Sequence, residues 1–184
     1  MVDENFLSGQ ERRFETDQVI VTKTDLKGRI TYANEVFQTI SSLTEDQCLG
    51  KPHNIIRHPE MPRCIFHLLW QTIQSGREIF AYVMNRAPNG DHYWVLAHVT
   101  PSVNEQGEIT GYHSNRRVPE RRILTQYIEP LYAELRAEER RHKSPAQAIA
   151  ASRAMLQAHL LELGLEYDEF VWTLGKDTAH ARSA

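Results

Sequence analysis

Alternating hydrophobic and polar positions near the N-terminus predict two short β-strands. The β-branched run at 19–24 and the run at 29–33 each have strand composition, and the turn residues at 25–28 predict that they form a hairpin. The spacing then changes to a helical one, because Val36, Phe37 and Ile40 recur on one side of a helix. Asn34 precedes this stripe and is a candidate N-cap.

The middle of the chain predicts short helices, an irregular crossing and then a long helix. The segment 44–47 is a capping-box pattern, and Gly50 would end the short helix that it opens. The proline-containing segment 51–62 predicts an irregular or briefly helical crossing. From Pro62 the apolar spacing is helical again, and Gly76 marks the end of this longer helix.

Three further strands follow the long helix. Turn signals lie at 89–90, as Asn-Gly, and at 104–107, and both predict hairpins. The predicted strands are 79–86, 92–100 and 109–116. An antiparallel sheet of five strands with helices on one face is an α+β architecture.

The chain becomes helical again after Pro119. Pro130 lies inside an apolar stripe, where it predicts a kink or a break. Ser144 predicts the N-cap of another helix, with Pro145 as its first residue and Gly164 as its end. The expected organisation is a cap segment at 1–16, a sensor-sized domain at 17–118, a helical extension at 119–175 and a disordered tail at 176–184.

Composition excludes several classes of protein. With 41% hydrophobic and 24% charged residues, the 184-residue chain is typical of globular proteins. The net charge of −3 does not favour nucleic acid or an anionic membrane as a partner, and the arginine pairs at 116–117 and 121–122 predict a solvated helix start. Without a membrane-length apolar stretch or a signal-peptide core, we expect a cytoplasmic protein with no membrane span. Cys48 and Cys64 are expected to be buried, reduced thiols.

Two longer motifs carry a family resemblance. The first is the segment 52–62, Pro-His-Asn-Ile-Ile-Arg-His-Pro-Glu-Met-Pro; the second is Asn-Arg at 85–86 followed by Asn-Gly-Asp-His-Tyr-Trp-Val at 89–95. In this order, and over residues 17–135, they resemble the PAS domain of Aer-type aerotaxis receptors. The resemblance implies a PAS fold that binds FAD non-covalently and senses redox state as a measure of oxygen. It covers the sensor module of such receptors, and it implies a chemoreceptor, a histidine kinase or another signalling protein as partner, with a homodimer as the expected assembly.

The same resemblance implies a set of cofactor-binding residues. Asn85 would offer a donor and an acceptor to the polar edge of the flavin, and Arg57 would clamp the pyrophosphate from a loop over the pocket. Asn34 has an alternative role as a helix cap, and Arg57 has the alternative of an ion pair with Glu60. The complete predicted set is Asn34, His53, Asn54, Arg57, His58, Glu60, Phe66, Trp70, Asn85, Tyr93 and Val95.

The segment 85–95 also resembles the flavin-binding hairpin of LOV photoreceptors. His53 falls where those proteins have the cysteine that forms a light-induced adduct, so adduct-based light sensing is not expected. Two positions depart from the receptor pattern: Glu60 replaces an aspartate, and Ile79 replaces a tryptophan that would supply a stacking surface. Strand alternation places the neighbouring Phe80 on the opposite face of the sheet.

Two other functions remain open from the sequence. His67 lies on the long helix, where a histidine would ligate haem in a gas-sensing PAS domain. A PAS fold without a cofactor would instead act as a dimerisation or adaptor module. The sequence has neither a G-x-S-x-G motif nor a Walker loop, so an enzyme is not expected.

Overall fold

The computed structural model describes residues 6–175, and its contacts divide the chain into two units. The first unit is Met1–Pro119 and the second is Glu120–Ala184. The predicted tail at 176–184 lies outside the described residues, and the finer division into cap, sensor and extension stays a prediction.

A five-stranded antiparallel sheet forms the first unit, and the predicted α+β fold class is confirmed. Its strand order is β2-β1-β5-β4-β3. The strands are β1 (Ile20–Asp25), β2 (Ile30–Ala33), β3 (Ile79–Arg86), β4 (His92–Val103) and β5 (Ile109–Arg117). The five strands are those that the hydrophobic pattern predicts, with β4 extending three residues further.

Strand alternation gives the sheet a buried inner face and a more open outer face. On β3, Ile79, Ala81 and Val83 are buried on the inner side. Phe80 points to the outer side, as predicted, and its ring stacks on His98 at 4.1 Å between centroids. Ile79 therefore makes the inner face aliphatic at this position.

Short helices and one longer helix follow β2 and pack against the strands. They are α1 (Glu35–Ser41), α2 (Glu45–Cys48), a 3-10 turn (His53–Ile56) and α3 (Arg63–Gln74). The predicted capping box is confirmed at Thr44, and Trp70 of α3 meets Tyr112 of β5 edge-on at 5.4 Å. Cys48 and Cys64 are both buried, and within residues 6–175 neither forms a disulfide.

A segment before β1 adds to the sheet beside the start of β4. We call residues 8–12 the N-terminal strap. The amide of His92 donates to the carbonyl of Gln10 at 2.9 Å, and the amide of Arg12 donates to the carbonyl of His92 at 2.7 Å. The side chains of Ser8 and Arg12 both reach the carboxylate of Asp91, at 2.7 and 2.8 Å. The strap is therefore held to the β3–β4 hairpin by backbone hydrogen bonds and by side-chain contacts to the carboxylate of Asp91.

The second unit is helical. Its elements are α4 (Arg121–Ile123), a π-helical turn (Leu124–Ile128), α5 (Glu129–Arg140), α6 (Pro145–Leu163) and α7 (Tyr167–Thr173). The predicted start at Pro145 and end at Gly164 are confirmed, although Ser144 makes no side-chain capping bond. Among the described residues, no helix has the length and apolar character needed to cross a membrane.

The kink or break expected at Pro130 is not a break, because the chain stays helical through it; the helix is instead irregular just before the proline. Pro130 lies near the start of α5, directly after the π-helical turn. A proline ring collides with the carbonyl four residues earlier and removes one helical donor. The wider π-turn, in which the amide of Glu129 donates to the carbonyl of Leu124, relieves this conflict without ending the helix.

Candidate functional site

Small side chains lie in the middle of the inner face of the sheet. The register places Arg116 of β5 between Ile20 of β1 and Ala97 of β4, and Ala97 faces Ala81 of β3. All four side chains are buried. Since residues directly opposite each other share a face, the long Arg116 side chain lies next to two short ones.

Arg116 is the main correction to the sequence interpretation, which predicted it at a solvated helix start. It lies on β5 and is 3% exposed. Its Nη2 donates to Thr22 Oγ1 at 2.6 Å and lies 2.6 Å from His53 Nε2, while its Nη1 is buried without a hydrogen-bond partner. Burial lowers its pKa to about 10, so the guanidinium remains a cation at neutral pH.

His53 supports Arg116 from the 3-10 turn. Burial, and secondly the charge of Arg116, lower the pKa of His53 to about 3. The imidazole is therefore neutral at physiological pH, and Nε2 accepts from the guanidinium. Phe37 flanks this group, with its ring 6.5 Å from the His53 ring and 6.0 Å from Arg116 Cζ.

Further polar atoms without a hydrogen-bond partner lie on the inner face of β3, β4 and β5. Asn85 and Tyr93 are directly opposite each other on β3 and β4, and Ser114 precedes Arg116 by two residues on β5. Burial raises the pKa of Tyr93, which keeps its hydroxyl protonated. Within residues 6–175, the buried inner-face atoms without a hydrogen-bond partner are Asn85 Nδ2, Tyr93 OH, Ser114 Oγ and Arg116 Nη1.

The predicted loop residues cover the free edge of β3. The backbone of Arg57 forms an antiparallel bridge with Asn85, and the amide of Met84 donates to Met61 Sδ at 3.2 Å. The guanidinium of Arg57 lies over the Phe66 ring, 4.4 Å from its centroid. These contacts fix both Asn85 and the loop.

The other predicted residues divide between the interior and the surface. Val95 is fully buried on the inner face, and His58 is 5% exposed. His58 Nδ1 accepts from the amide of Glu60 at 3.2 Å, while the side chains of Glu60 and Asn54 are exposed. His67 of α3 is partly exposed.

Asn34 is used fully within the fold. Its Oδ1 accepts from the amides of Val21 and Phe37, at 3.0 and 3.1 Å, and its Nδ2 donates to the carbonyl of Val19 at 2.8 Å. These contacts support the role of N-cap that the sequence left open beside a cofactor contact.

Sequence reasoning missed three residues of the site: Thr22, Ser114 and Arg116. Alternation alone would have placed Ser114 and Arg116 on one face of β5. The arginine pair at 116–117 hid this signal, because it also fits the start of the helix that follows Pro119. Since only one member of the pair is buried, the strand period extends through Arg116.

The fold and the polar inner face define an α+β domain with a candidate ligand-binding face, and the comparisons identify its family. The PAS fold family matches residues 11–114, and the chain belongs to it. The chain is 40% identical over 133 residues to the aerotaxis receptor of Escherichia coli (strain K12), which covers 72% of this chain and 26% of the receptor. It is 30% identical over 103 residues to the nitrogen fixation regulatory protein of Klebsiella pneumoniae, covering 56% of this chain and 21% of that protein.

A solved structure gives the same fold at low identity. A light-oxygen-voltage domain studied with a flavin analogue superposes with a TM-score of 0.54 at 14% identity, covering 63% of this chain and 87% of that one. The predicted resemblance to Aer-type PAS domains is thus confirmed. The chain spans about a quarter or less of the length of the two curated relatives.

Proposed function

We propose that this chain is a PAS sensory module that binds a flavin, FAD, against the inner face of its sheet and reports the redox state of that flavin to a signalling protein. The observation that carries the proposal is the set of four buried polar atoms without partners on β3, β4 and β5. The similarity to an aerotaxis receptor supports the same proposal.

Unpaired buried polar atoms are costly, which is why an occupant is expected. Each buried donor or acceptor without a partner costs about 1–3 kcal/mol, and folded proteins have few of them. Here the amide of Asn85, the hydroxyls of Tyr93 and Ser114 and the guanidinium of Arg116 share one face. A bound group with several hydrogen-bond acceptors would satisfy this set.

The polar edge of a flavin ring carries groups that are complementary to donors of this kind. It has two carbonyl oxygens, which accept hydrogen bonds, and one ring N–H, which donates. Asn85 Nδ2 and Arg116 Nη1 can only donate, whereas the hydroxyls of Tyr93 and Ser114 can donate or accept. Ala81 and Ala97 are the short side chains in the same row as Arg116, and a flat ring would lie against them.

The phosphates of FAD would need a cation closer to the surface. Arg57, partly exposed over the Phe66 ring, is the candidate for the pyrophosphate, with His58 and Asn54 on the same loop. We propose the remaining predicted features together: a cytoplasmic, non-enzymatic module that forms a homodimer and acts on a chemoreceptor or a histidine kinase. When bound, the flavin supplies the electron-accepting chemistry, and the protein supplies binding, orientation and electrostatics.

The absorption spectrum of the purified full chain tests the proposal. Flavin bands, together with FAD in the mass spectrum of the extracted cofactor, would support it. A haem Soret band would instead favour the gas-sensor alternative with His67. A protein that stays colourless after incubation with FAD would refute flavin binding and favour the adaptor.

Two pairs of variants test whether Asn85 and Arg57 bind the flavin. Asn85→Ala removes a buried donor at the ring edge, so flavin content should fall, whereas Asn115→Ala on β5, outside the unpaired set, should leave it unchanged. Arg57→Ala should likewise lower the flavin content more than Arg77→Ala, whose exposed side chain donates to Ser75 Oγ. Equal flavin content in the wild type, Asn85→Ala and Arg57→Ala would reject this site.

A further inference from the structure

Arg116 carries a buried positive charge that no acidic side chain balances within residues 6–175. Its guanidinium donates to the hydroxyl of Thr22 and to the imidazole of His53, and both groups are neutral. No ion pair joins Arg116 to a carboxylate in this part of the chain. Tyr93 is the ionisable group whose negative charge would affect it, and burial keeps Tyr93 protonated.

The contacts of Arg116 also fix the direction of its free donor. Thr22 and His53 both hold Nη2, so the planar guanidinium cannot rotate freely, and Nη1 is left buried with no partner. The neighbours across the sheet are Ile20 on one side and Ala97 on the other. A rigidly held cation beside two short alanines is an unusual arrangement to keep for stability alone, because a buried charge without an anion is destabilising.

We infer that Arg116 sets the redox preference of the bound flavin by stabilising the negative charge that reduction places on the ring. This inference rests on the proposed function. Reduction adds two electrons from a solution reductant and one proton from water to the oxidised ring, which gains one negative charge in total. Arg116 contributes a fixed positive charge that is already in position before the electrons arrive.

The measurement is the midpoint potential of the flavin in the full chain, by titration with mediator dyes. Arg116→Met removes the charge with little change in volume, and it should weaken binding of the reduced flavin at least tenfold relative to the oxidised form. A tenfold change lowers a two-electron potential by about 30 mV. Arg116→Lys keeps the charge and should stay closer to the wild type, and Arg117→Met, at the exposed neighbouring position, should not shift the potential.

A second measurement does not depend on the cofactor. With the flavin removed, Arg116→Met should unfold at the same urea concentration as the wild type or at a higher one, because the variant no longer buries an unbalanced charge. A purely structural arginine predicts the opposite, namely a clear loss of stability in the empty protein. A Met variant that is less stable when empty and has an unchanged potential when loaded would overturn the inference.

The outcomes separate this inference from the proposed function. If the wild type binds no flavin, the proposed function fails and the inference fails with it. If flavin binds and the potentials of Arg116→Met and the wild type agree, only the role of Arg116 fails. Should Arg116→Met lose the oxidised flavin, Arg116→Gln, which retains a donor without the charge, takes its place in the same titration and is expected to show the same negative shift.

Discussion

Asn34 offers the sharpest test of how the first unit is held together. Its side chain joins the start of α1 to β1 through three hydrogen bonds, to the backbone of Val19, Val21 and Phe37. The Asn34→Ala variant removes all three bonds at once. It leaves two backbone amides and one carbonyl without the partner that the native fold provides.

The cost follows from these three bonds. Loss of an N-cap side chain typically costs about 1 kcal/mol. The bonds to Val19, just before β1, and to Val21 on β1 each contribute about 0.5–1.5 kcal/mol. We therefore expect Asn34→Ala to lower the free energy of unfolding by about 2–4 kcal/mol. Asn34→Asp keeps the accepting oxygen, so its stability should lie between that of Asn34→Ala and that of the wild type.

Urea denaturation of the flavin-free chain measures this directly. Asn54→Ala is the matched control, because Asn54 is exposed and should have little effect on stability. Flavin content is measured in parallel, since the sequence leaves Asn34 as either a cap or a cofactor contact. An Asn34→Ala variant with unchanged stability when empty and reduced flavin content would refute the cap reasoning.

Two further predictions follow from titratable groups. Hydrogen bonds from Ser8, Arg12 and Asn89 lower the pKa of Asp91 to about 2, below the usual value of about 3.9, so its stabilisation of the N-terminal strap is complete above pH 4 and lost as the pH falls through 2. Asp91→Ala should therefore speed hydrogen exchange of the Arg12 amide at neutral pH, whereas Asp46→Ala, at an exposed position, should not. Equal exchange rates in Asp91→Ala and the wild type would contradict the role of Asp91 in holding the N-terminal strap. His53, with a pKa of about 3, should show no imidazole titration between pH 5 and 8 by NMR, and a protonation step in that range would disprove its neutral contact with Arg116.

Local signals explain why so much of the fold could be predicted. The capping box at Thr44, the Asn-Gly turn at 89–90 and the glycine at 164 each act through a few neighbouring residues. Strand alternation likewise predicts the buried face of β3, including the outward position of Phe80. These features need no knowledge of distant contacts.

The missed features depend on residues that are distant in sequence. The N-terminal strap has no strand pattern of its own, and only the open edge of β4 at His92 gives it a partner. The burial of Arg116 depends on the register of β5 against β1 and β4. At Pro130 the expectation that proline removes a helical hydrogen-bond donor was correct, but it did not anticipate that a π-helical turn would accommodate the proline within the helix.

Ile79 stands where the resemblance to Aer-type PAS domains implies a tryptophan, so the proposed flavin would rely on polar contacts more than on stacking at this position. The register places Ile79 opposite Val99, which faces Ser114, and the next inward row holds Ala81, Ala97 and Arg116. The aliphatic position thus lies in the same row as Ser114, whose Oγ has no partner among the described residues, and one row from Arg116, whose Nη1 has none. Asn85 lies six residues further along β3, about 20 Å away along the strand, and is unaffected by the loss of the ring. The proposed flavin would therefore depend on Ser114 and Arg116 at this end of the site, because Ile79 supplies no ring to stack on it.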